Sequence, residues 1–433
     1  MDGNPAAGVQ GSIVPAASIE FDQREVVEVI TRANVRGYKD FTGAACAIPS
    51  NADQTQLRKA IEGFIGDINP YIIDSEVTYS VHGPGAFFPD LITAMNYLGH
   101  YKITPRGHVI LQLGGAASGA ATKYTYTNRV IFNHPNNDRI SVIGARMLKP
   151  VPLDDSGYAS NGSSAGQRAT DLITNLAVMR SCFATELHFQ GVPNIGGSNF
   201  GSGAIMIDGT MLMHLDAILF TGDTGCVGMY TTCQGVCNGT LVSGVPTISG
   251  IAFLQFSYGI IFDAGSSIVT QGAGFAQNLW APIITIGNSG QGIVVLNGSF
   301  YTTFGNVITL GNGADGIVCW PGAGIQLDGG LFACSNAQNG LNLGGATPAW
   351  VNGPWNGGAT YGPSHFYKNG GWGCSVNESG LMLYGDCGAG ANLNGSGSVG
   401  AWNGSVVSCN DINVSAHCSP PWGTTGNSLS MVV

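Results

Sequence analysis

The chain has 433 residues, including 67 glycines and 19 prolines, and 44% of its residues are hydrophobic. Disorder needs low hydrophobicity and collagen needs a glycine at every third position, so the composition excludes both. Only 10% of the residues are charged, which argues against a helical bundle with a charged outer face. A β-protein with a neutral polar surface fits better.

The basic residues are concentrated at the start of the chain. Residues 1–180 hold 15 of the 16 Lys and Arg, and the rest of the chain holds only Lys368. Nucleic acids are bound through Lys and Arg at phosphates, so we exclude nucleic acid as a partner. The longest apolar stretch, residues 251–262, is shorter than the ~20 residues that span a bilayer and contains Gln255 and Ser257. We therefore predict no membrane insertion.

Two regions precede the main part of the chain. Residues 1–45 are predicted to be an irregular arm that docks onto another protein, and residues 46–106 a helical capping or neck region. In the second region a helix is predicted over 54–65, with an apolar stripe at Leu57, Ile61, Phe64 and Ile65 and an end at Gly66. A second helix is predicted over 88–100, with Pro89 in its first turn.

After residue 107 the pattern changes to short apolar runs between Gly, Asn and Ser turns, which predict β-strands. The runs are residues 109–111, 130–132, 140–143, 204–207, 259–262, 283–286, 293–296 and 307–310. No helix-length interval separates most of them, which argues against a doubly wound sheet. The expected fold is mostly β, with residues 107–433 forming a right-handed parallel β-helix; the alternative is a β-sandwich.

An imperfect repeat in the later half supports the solenoid. Similar units surround four phenylalanines at spacings of 25, 32 and 34 residues: Phe275, Phe300, Phe332 and Phe366. Short strands and turns at such a period indicate stacked coils.

The segment PSNADQTQL, from Pro49 to Leu57, followed by Ala60 and Ile61, resembles the start of tailed-bacteriophage tail fibre and tail spike proteins. Residues 88–98, 107–113, 130–135 and 139–145 are similar to the beginning of a β-helical tail domain in that family. Residues 419–433 resemble its closing strand. The resemblance covers about 49–145 and 330–433, and none of these motifs is catalytic.

The resemblance implies a homotrimer in the virion tail. Its N-terminal part would join other phage tail or baseplate proteins, and its β-helix would contact the host surface. Eleven cysteines in a large chain fit assembly in the reducing cytoplasm of the host bacterium, where disulfides are rare.

All seven tryptophans lie in the weakly charged part of the chain. Indole faces stack on the apolar faces of sugars while amides bind hydroxyls, so a neutral glycan is the expected ligand. Trp350, Trp355 and Tyr361, in a Gly- and Pro-rich segment, are the candidate ligand residues. The alternative is that these rings fill coil interiors or a trimer interface.

Cleavage of a glycan would need paired carboxylates. The candidates are Asp208, Asp216 and Asp263, with His214 at an i, i+2 position to Asp216. The competing interpretation is that such residues serve turns, as the pattern Asp315-Gly316 indicates. No phosphate loop, nucleophile elbow or HExxH motif occurs, and Cys226, Cys233 and Cys237 lack a nearby His, so no cofactor or metal is expected.

The sequence therefore predicts a trimeric phage tail fibre or tail spike protein that adheres to a bacterial surface glycan. A polysaccharide depolymerase, either hydrolase or lyase, is the alternative. A structural virion component without a ligand is the third interpretation.

Overall fold

The structure is a computed structural model. It describes residues 16–37, 45, 55–68, 71–114, 122–145, 180, 183–192, 203–207, 212–223, 225–231, 234–238, 251–263, 267–271, 283–303, 307–327, 331–352, 365–384, 394–409, 423–424 and 431–432.

Three α-helices lie in the first hundred residues: α1 (Ala16–Val35), α2 (Gln56–Ile68) and α3 (Leu91–Leu98). Helix α1 falls in the segment that was expected to be irregular. It packs on α2 through Ile30, Ala33 and Ala60, which form a small apolar cluster of their own.

Two details of the α2 prediction are wrong. The helix continues through Gly66, because a glycine inside a helix costs only about 1 kcal/mol and does not force an end. Ile61, predicted on the buried stripe, is 44% exposed, whereas Ala60 is fully buried. Leu57 of the predicted stripe does pack against the cluster, so the side that faces α1 contains Leu57 and Ala60 but not Ile61.

Helix α3 begins three residues later than predicted. Asp90 caps it, since its Oδ1 accepts a hydrogen bond of 2.6 Å from the backbone N–H of Thr93. Leu91, Met95 and Leu98 are buried in the main core, which also contains residues of the strands that follow, such as Ile103 and Val109.

The strands are short and numerous. The N-terminal ones are β1 (Tyr71–Ile73), β2 (Glu76–Val81), β3 (Tyr101–Ile103), β4 (His108–Leu113), β5 (Thr122–Tyr126), β6 (Val130–Phe132), β7 (Ile140–Ile143), β8 (Thr185–Phe189), β9 (Gly203–Ile207) and β10 (Leu212–Asp216). The central ones are β11 (Ile218–Gly222), β12 (Val227–Thr231), β13 (Gln234–Asn238), β14 (Ile251–Leu254), β15 (Tyr258–Phe262), β16 (Ser267–Gln271), β17 (Ile283–Ile286), β18 (Ile293–Val295), β19 (Phe300–Thr303), β20 (Val307–Leu310) and β21 (Ile317–Cys319). The C-terminal ones are β22 (Gly324–Leu327), β23 (Leu331–Cys334), β24 (Leu341–Gly344), β25 (Pro348–Asn352), β26 (His365–Tyr367), β27 (Trp372–Asn377), β28 (Gly380–Tyr384), β29 (Gly397–Trp402), β30 (Val406–Cys409), β31 (Gly423–Thr424) and β32 (Met431–Val432). All eight apolar runs predicted as strands are confirmed.

Three long sheets contain all of these strands except β1 and β3, which pair with each other. Sheet I has twelve strands: β2, β4, β7, β10, β13, β16, β19, β22, β25, β28, β30 and β32. Sheet II has eight: β5, β8, β11, β14, β17, β20, β23 and β26. Sheet III has ten: β6, β9, β12, β15, β18, β21, β24, β27, β29 and β31. Sheet I already starts with β2, inside the predicted neck region.

From β4 to β28 the chain visits the three sheets in a fixed order, from I to II to III and back to I. Except at the ends of the sheets, each strand pairs with the strand one circuit earlier and with the strand one circuit later. Every pairing between described strands is parallel. A β-sandwich is built from antiparallel strands. The observed arrangement is mostly β and is compatible with a parallel β-helix.

Inward-facing side chains of the three sheets form one continuous apolar core. Aromatic rings stack between neighbouring coils, as in Phe220 and Phe253, whose centroids are 4.9 Å apart, and Phe262 and Tyr301, at 4.8 Å. Four of the described cysteines are buried and form no disulfide: Cys226, Cys319, Cys334 and Cys374. Burial raises the pKa of Cys226 to about 11 and that of Cys334 to about 12, so both thiols stay protonated at neutral pH.

A ladder of asparagines lines the turn between sheets II and III. Its members are Asn288, Asn312, Asn336, Asn369 and Asn394. Each Nδ2 donates to Oδ1 of the next asparagine at 2.9, 2.9, 3.0 and 3.0 Å, and each backbone N–H donates to the same Oδ1 at 2.8–3.3 Å. The Nδ2 groups also approach backbone carbonyls. The ladder therefore satisfies polar groups that the coil stack buries.

The residue before each ladder asparagine is described for four of the five, and its φ is positive. Gly287 and Gly311 have φ of 59° and 56°, which glycine adopts without strain. Ser335 and Lys368 adopt nearly the same angle, 54° and 53°. The turn is thus conserved in shape from coil to coil even where glycine is missing.

The true repeat differs from the predicted phenylalanine repeat. Phe300 lies in sheet I, whereas Phe332 and Phe366 lie in sheet II, so Phe300 is not equivalent to the other two. Phe275 lies outside the described residues. In the regular part of the stack, Val307 pairs with Ile283 and Leu331 with Val307, which sets a repeat of 24 residues.

Among the described residues, no helix is both long enough and apolar enough to cross a membrane.

The ladder can be tested at its centre. Asn336→Ala removes the acceptor of Asn312 and leaves buried donors unpaired, and each such group costs about 1–3 kcal/mol. We expect a lower midpoint of urea unfolding. Asn377→Ala, which removes an exposed amide pair with Asn403 at a position without a positive φ, is the control and should shift the free energy of unfolding by less than about 0.5 kcal/mol. Equal shifts for both variants would contradict a stabilising ladder.

A second prediction concerns His134, which joins α3 to β3. Its Nε2 lies 3.0 Å from the carbonyl oxygens of Leu98 and Tyr101, and its Nδ1 accepts the backbone N–H of Asn136 at 2.9 Å. Burial lowers the pKa of His134 below its usual 6.5. The unfolded chain therefore binds the proton more readily, so stability is complete above pH 6.5 and decreases as the pH falls below it.

Urea unfolding at pH 7.5 and pH 5 measures this dependence. His134→Asn keeps an acceptor for Asn136 but cannot titrate, so the loss of stability on acidification should be smaller in the variant. An identical loss in both proteins would show that His134 does not contribute.

Candidate functional site

Trp350 lies on the outer face of sheet I. Its neighbours in β25, Ala349 and Val351, are buried in the core, so the indole between them points outward. The ring is half-buried. The residues directly beside it on the adjacent strands, Gln326 and Met382, are uncharged.

The other tryptophans are placed less completely. Trp355 and Tyr361, like Trp280 and Trp422, lie outside the described residues. Trp320 is 44% exposed and directly follows β21, at the start of a turn. Trp372 and Trp402 are half-buried on sheet III, away from Trp350. The described tryptophans thus lie at the surface of the coils and do not fill the interior.

Asp263 is the only predicted catalytic carboxylate whose side chain the structure describes. Its Oδ2 accepts the hydroxyl of Tyr230 and its Oδ1 accepts Nδ2 of Asn297, both at 2.6 Å. The residue is 8% exposed. Burial of Tyr230, followed by its contact with the carboxylate of Asp263, raises the pKa of Tyr230 well above its usual value of 10. These contacts favour a structural role for Asp263.

The structure does not describe a pair of catalytic carboxylates among the remaining predicted acids. Asp208 lies outside the described residues, and Asp216 ends β10 with its side chain, like that of His214, outside them. Asp315 serves a turn, as its sequence pattern indicates. One of its oxygens accepts the backbone N–H and Nδ2 of Asn339, and the other accepts Nδ2 of Asn342.

Sheet II carries a hydrogen-bonded relay that the sequence analysis missed. The hydroxyl of Thr221 donates to Oε1 of Glu186 at 2.6 Å, and Nδ1 of His188 lies 3.0 Å from the same hydroxyl. Because the single proton of Thr221 goes to Glu186, Nδ1 of His188 must be the donor to Thr221. This fixes the tautomer and leaves Nε2 as an acceptor.

Charged groups surround the relay. Nζ of Lys123 lies 4.0 Å and Nε of Arg180 lies 3.9 Å from Oε1 of the buried Glu186. Burial, followed by the charge of Lys123, lowers the pKa of His188, so its imidazole is neutral at pH 7. Leu187 and Phe189 point into the core, which places His188 on the outer face. The relay therefore presents a neutral base at the surface.

A second line of polar side chains crosses sheet I. Nε2 of His108 lies 2.9 Å from the hydroxyl of Ser141, and Nδ1 lies 3.3 Å from Oε2 of Glu76. A carboxylate, an imidazole and a hydroxyl in a row resemble the triad of a hydrolase. Ser141 is only 1% exposed, however, so a substrate cannot reach its hydroxyl, and the line has a structural role.

Neither group is evident from spacing alone, because the partners lie 32–35 residues apart on neighbouring coils. The sequence did contain one sign of the relay in β8, where Glu186 and His188 alternate with apolar residues in a region with few charges.

Among the described residues, no three His, Cys, Asp or Glu side chains are grouped in a way that could hold a metal ion.

A scan of the chain against protein-family models finds no matching family, and a search of curated proteins finds no significant match.

The tautomer of His188 gives a testable prediction. Thr221→Val keeps the side-chain volume but removes the hydroxyl that joins His188 to Glu186. We expect long-range ¹H–¹⁵N NMR to show the Nδ1–H form in the wild type and an increased Nε2–H population in the variant. Removal of the hydroxyl from a fully buried site should also cost about 1–3 kcal/mol of stability.

Ser375→Ala, on the half-buried outer face of sheet III, is the control for a lost hydroxyl and should leave the His188 spectrum unchanged. A wild-type spectrum dominated by the Nε2–H form would contradict the proposed direction of the relay.

Proposed function

We propose that this protein is a tail fibre or tail spike subunit of a tailed bacteriophage, and that it adheres to a neutral glycan on the bacterial surface. It would form a right-handed parallel β-helix and assemble as a homotrimer. Its N-terminal region would dock onto other tail or baseplate proteins, and it would reside in the virion tail after assembly in the host cytoplasm.

The observation that carries the proposal is the position of the tryptophans. Trp350 lies half-buried on the outside of the coils, beside the uncharged Gln326 and Met382. The surrounding part of the chain, residues 181–433, contains a single basic residue, Lys368. Indoles in a neutral polar surface suit sugars better than phosphates or anionic lipids, which require positive charge.

The architecture supports the same proposal. Three parallel sheets stacked over many coils give a long, rigid surface on which ligand residues from different coils can be aligned. The resemblance of residues 49–61 to phage tail proteins supplies the biological setting.

A depolymerase is the principal alternative. It would need two carboxylates near one glycosidic bond, and Asp263 already uses both of its oxygens in hydrogen bonds. Incubation of the full chain with capsule or lipopolysaccharide from a host bacterium, followed by analysis for released oligosaccharides, separates the two activities. Binding without release supports the adhesin. Release that disappears on an Asp→Asn change would establish the depolymerase instead.

The adhesion site itself is tested at Trp350. Trp350→Ala and Trp355→Ala together should lower the affinity for surface glycan at least tenfold, because the stacking surface for a sugar ring is removed. Trp320→Ala, an exposed indole elsewhere in the stack, is the matched control. Glycan-array binding that survives the double change would exclude this patch.

Oligomeric state is tested independently by light scattering. A homotrimer has three times the 44.6 kDa mass of the chain. A monomeric mass at micromolar concentration would contradict the trimer.

A further inference from the structure

Two indole rings meet on the outer face of sheet III. Trp372 begins β27 and Trp402 ends β29, the strand that pairs with it. The ring centroids are 5.5 Å apart and the ring planes are inclined by 79°. Both residues are half-buried. We call these two rings the tryptophan pair.

Glycines form the floor beneath the tryptophan pair. A Cβ atom on Gly400 would lie 2.3 Å from Cη2 of Trp402 and 2.8 Å from both Cδ2 and Cε2 of Trp372. A Cβ on Gly397 would lie 2.8 Å from Cζ3 of Trp372. The Trp372 ring thus rests with its face on the backbone, and this contact is available only because both residues lack a side chain.

The polarity of sheet III changes just before the tryptophan pair. One outer row reads Tyr230, Ile261, Val294, Val318, Asn342, Ser375 and Gly400 in successive strands. Its first four members are buried and belong to an apolar cluster. Asn342 and Ser375 are partly exposed and polar. If this face were the core of an interface between protein subunits, the row would continue with apolar residues. The amide of Asn342 and the hydroxyl of Ser375 instead suit the hydroxyl groups of a sugar.

An amide pair lies beside Trp402. Nδ2 of Asn403 donates to Oδ1 of Asn377 at 2.7 Å. This bond uses the carbonyl of Asn377 and one N–H of Asn403, so the Nδ2 group of Asn377 can donate to a ligand and the carbonyl oxygen of Asn403 can accept from it. A hydroxyl of a sugar both donates and accepts, so neighbouring hydroxyls match this donor and acceptor. Glu378, which follows Asn377, is exposed and negative, so it disfavours an acidic sugar.

We infer that the tryptophan pair and the adjacent Asn377–Asn403 amides form a binding site for a neutral oligosaccharide. One pyranose face packs on an indole, and the amides bind its hydroxyls. The inference rests on the proposed glycan function and adds a site on sheet III, separate from the Trp350 patch on sheet I.

The site can be observed directly in the full chain labelled with 5-fluorotryptophan. Trp372→Phe and Trp402→Phe assign the two ¹⁹F resonances. The probes are the neutral hexaoses of glucose in α-1,4 and β-1,4 linkage, of xylose and of mannose, with hexagalacturonate as the acidic comparison. We expect a neutral probe to shift both resonances and hexagalacturonate to bind at least tenfold more weakly.

Variants then separate the site from the rest of the surface. Trp372→Ala and Trp402→Ala should each reduce the affinity for that probe at least tenfold. Gly400→Ala should do the same while keeping both rings, because its Cβ displaces them. Gly344→Ala in the same sheet, where the nearest atom lies 3.8 Å from the new Cβ, is the control and should leave the affinity unchanged. Circular dichroism of each variant confirms that it is folded.

The outcomes distinguish this inference from the proposed function. A neutral probe that binds with unchanged affinity to all three site variants, but loses affinity on Trp350→Ala, overturns the inference and leaves the adhesin intact. Absence of binding by every neutral probe and by a neutral glycan array overturns both. If the variants instead change the oligomeric mass without a change in affinity, the pair contacts a second copy of the chain and the inference is wrong.

Discussion

The structure depends on the pairing of each coil with the coil before and after it. Parallel strands one circuit apart satisfy each other's backbone groups, and the asparagine ladder does the same for the turn between sheets II and III. Because these interactions run along the stack, stability does not require a charged surface. This explains how residues 181–433, which contain a single basic residue, form most strands of the three long sheets.

The same constraint determines where function can reside. Side chains that point inward are committed to the core, so ligand residues must come from the outward positions of the strands and from the turns. Neighbouring coils place such residues about 5 Å apart whatever their separation in sequence. The His188 relay and the tryptophan pair are both assembled in this way, each from strands of adjacent coils.

The sequence predicted the strands well but not their register. Residues 130–132, 140–143, 283–286 and 307–310 were identified to the residue, because an apolar run between turn residues has a clear local signal. The phenylalanine repeat was wrong, since Phe300 and Phe332 have similar sequence surroundings but lie in different sheets. In the C-terminal coils the more informative marker was the ladder asparagine. Contacts between coils, such as Thr221 with Glu186, could not be predicted without that register, because the distance along the chain between paired residues varies: it is 24 residues for Val307 and Leu331 but 75 for Val130 and Ile205.

The regular part of the ladder also has an implication for how such a chain changes length. Asn288, Asn312 and Asn336 follow one another at intervals of 24 residues and make the same bonds. Excision of residues 307–330 would bring Asn336 into the position of Asn312 and rejoin strands of matching shape. We therefore expect that insertion or loss of a whole unit keeps the pairing, whereas insertion or loss of a single residue breaks it, so that the length of the molecule can evolve in steps of one coil.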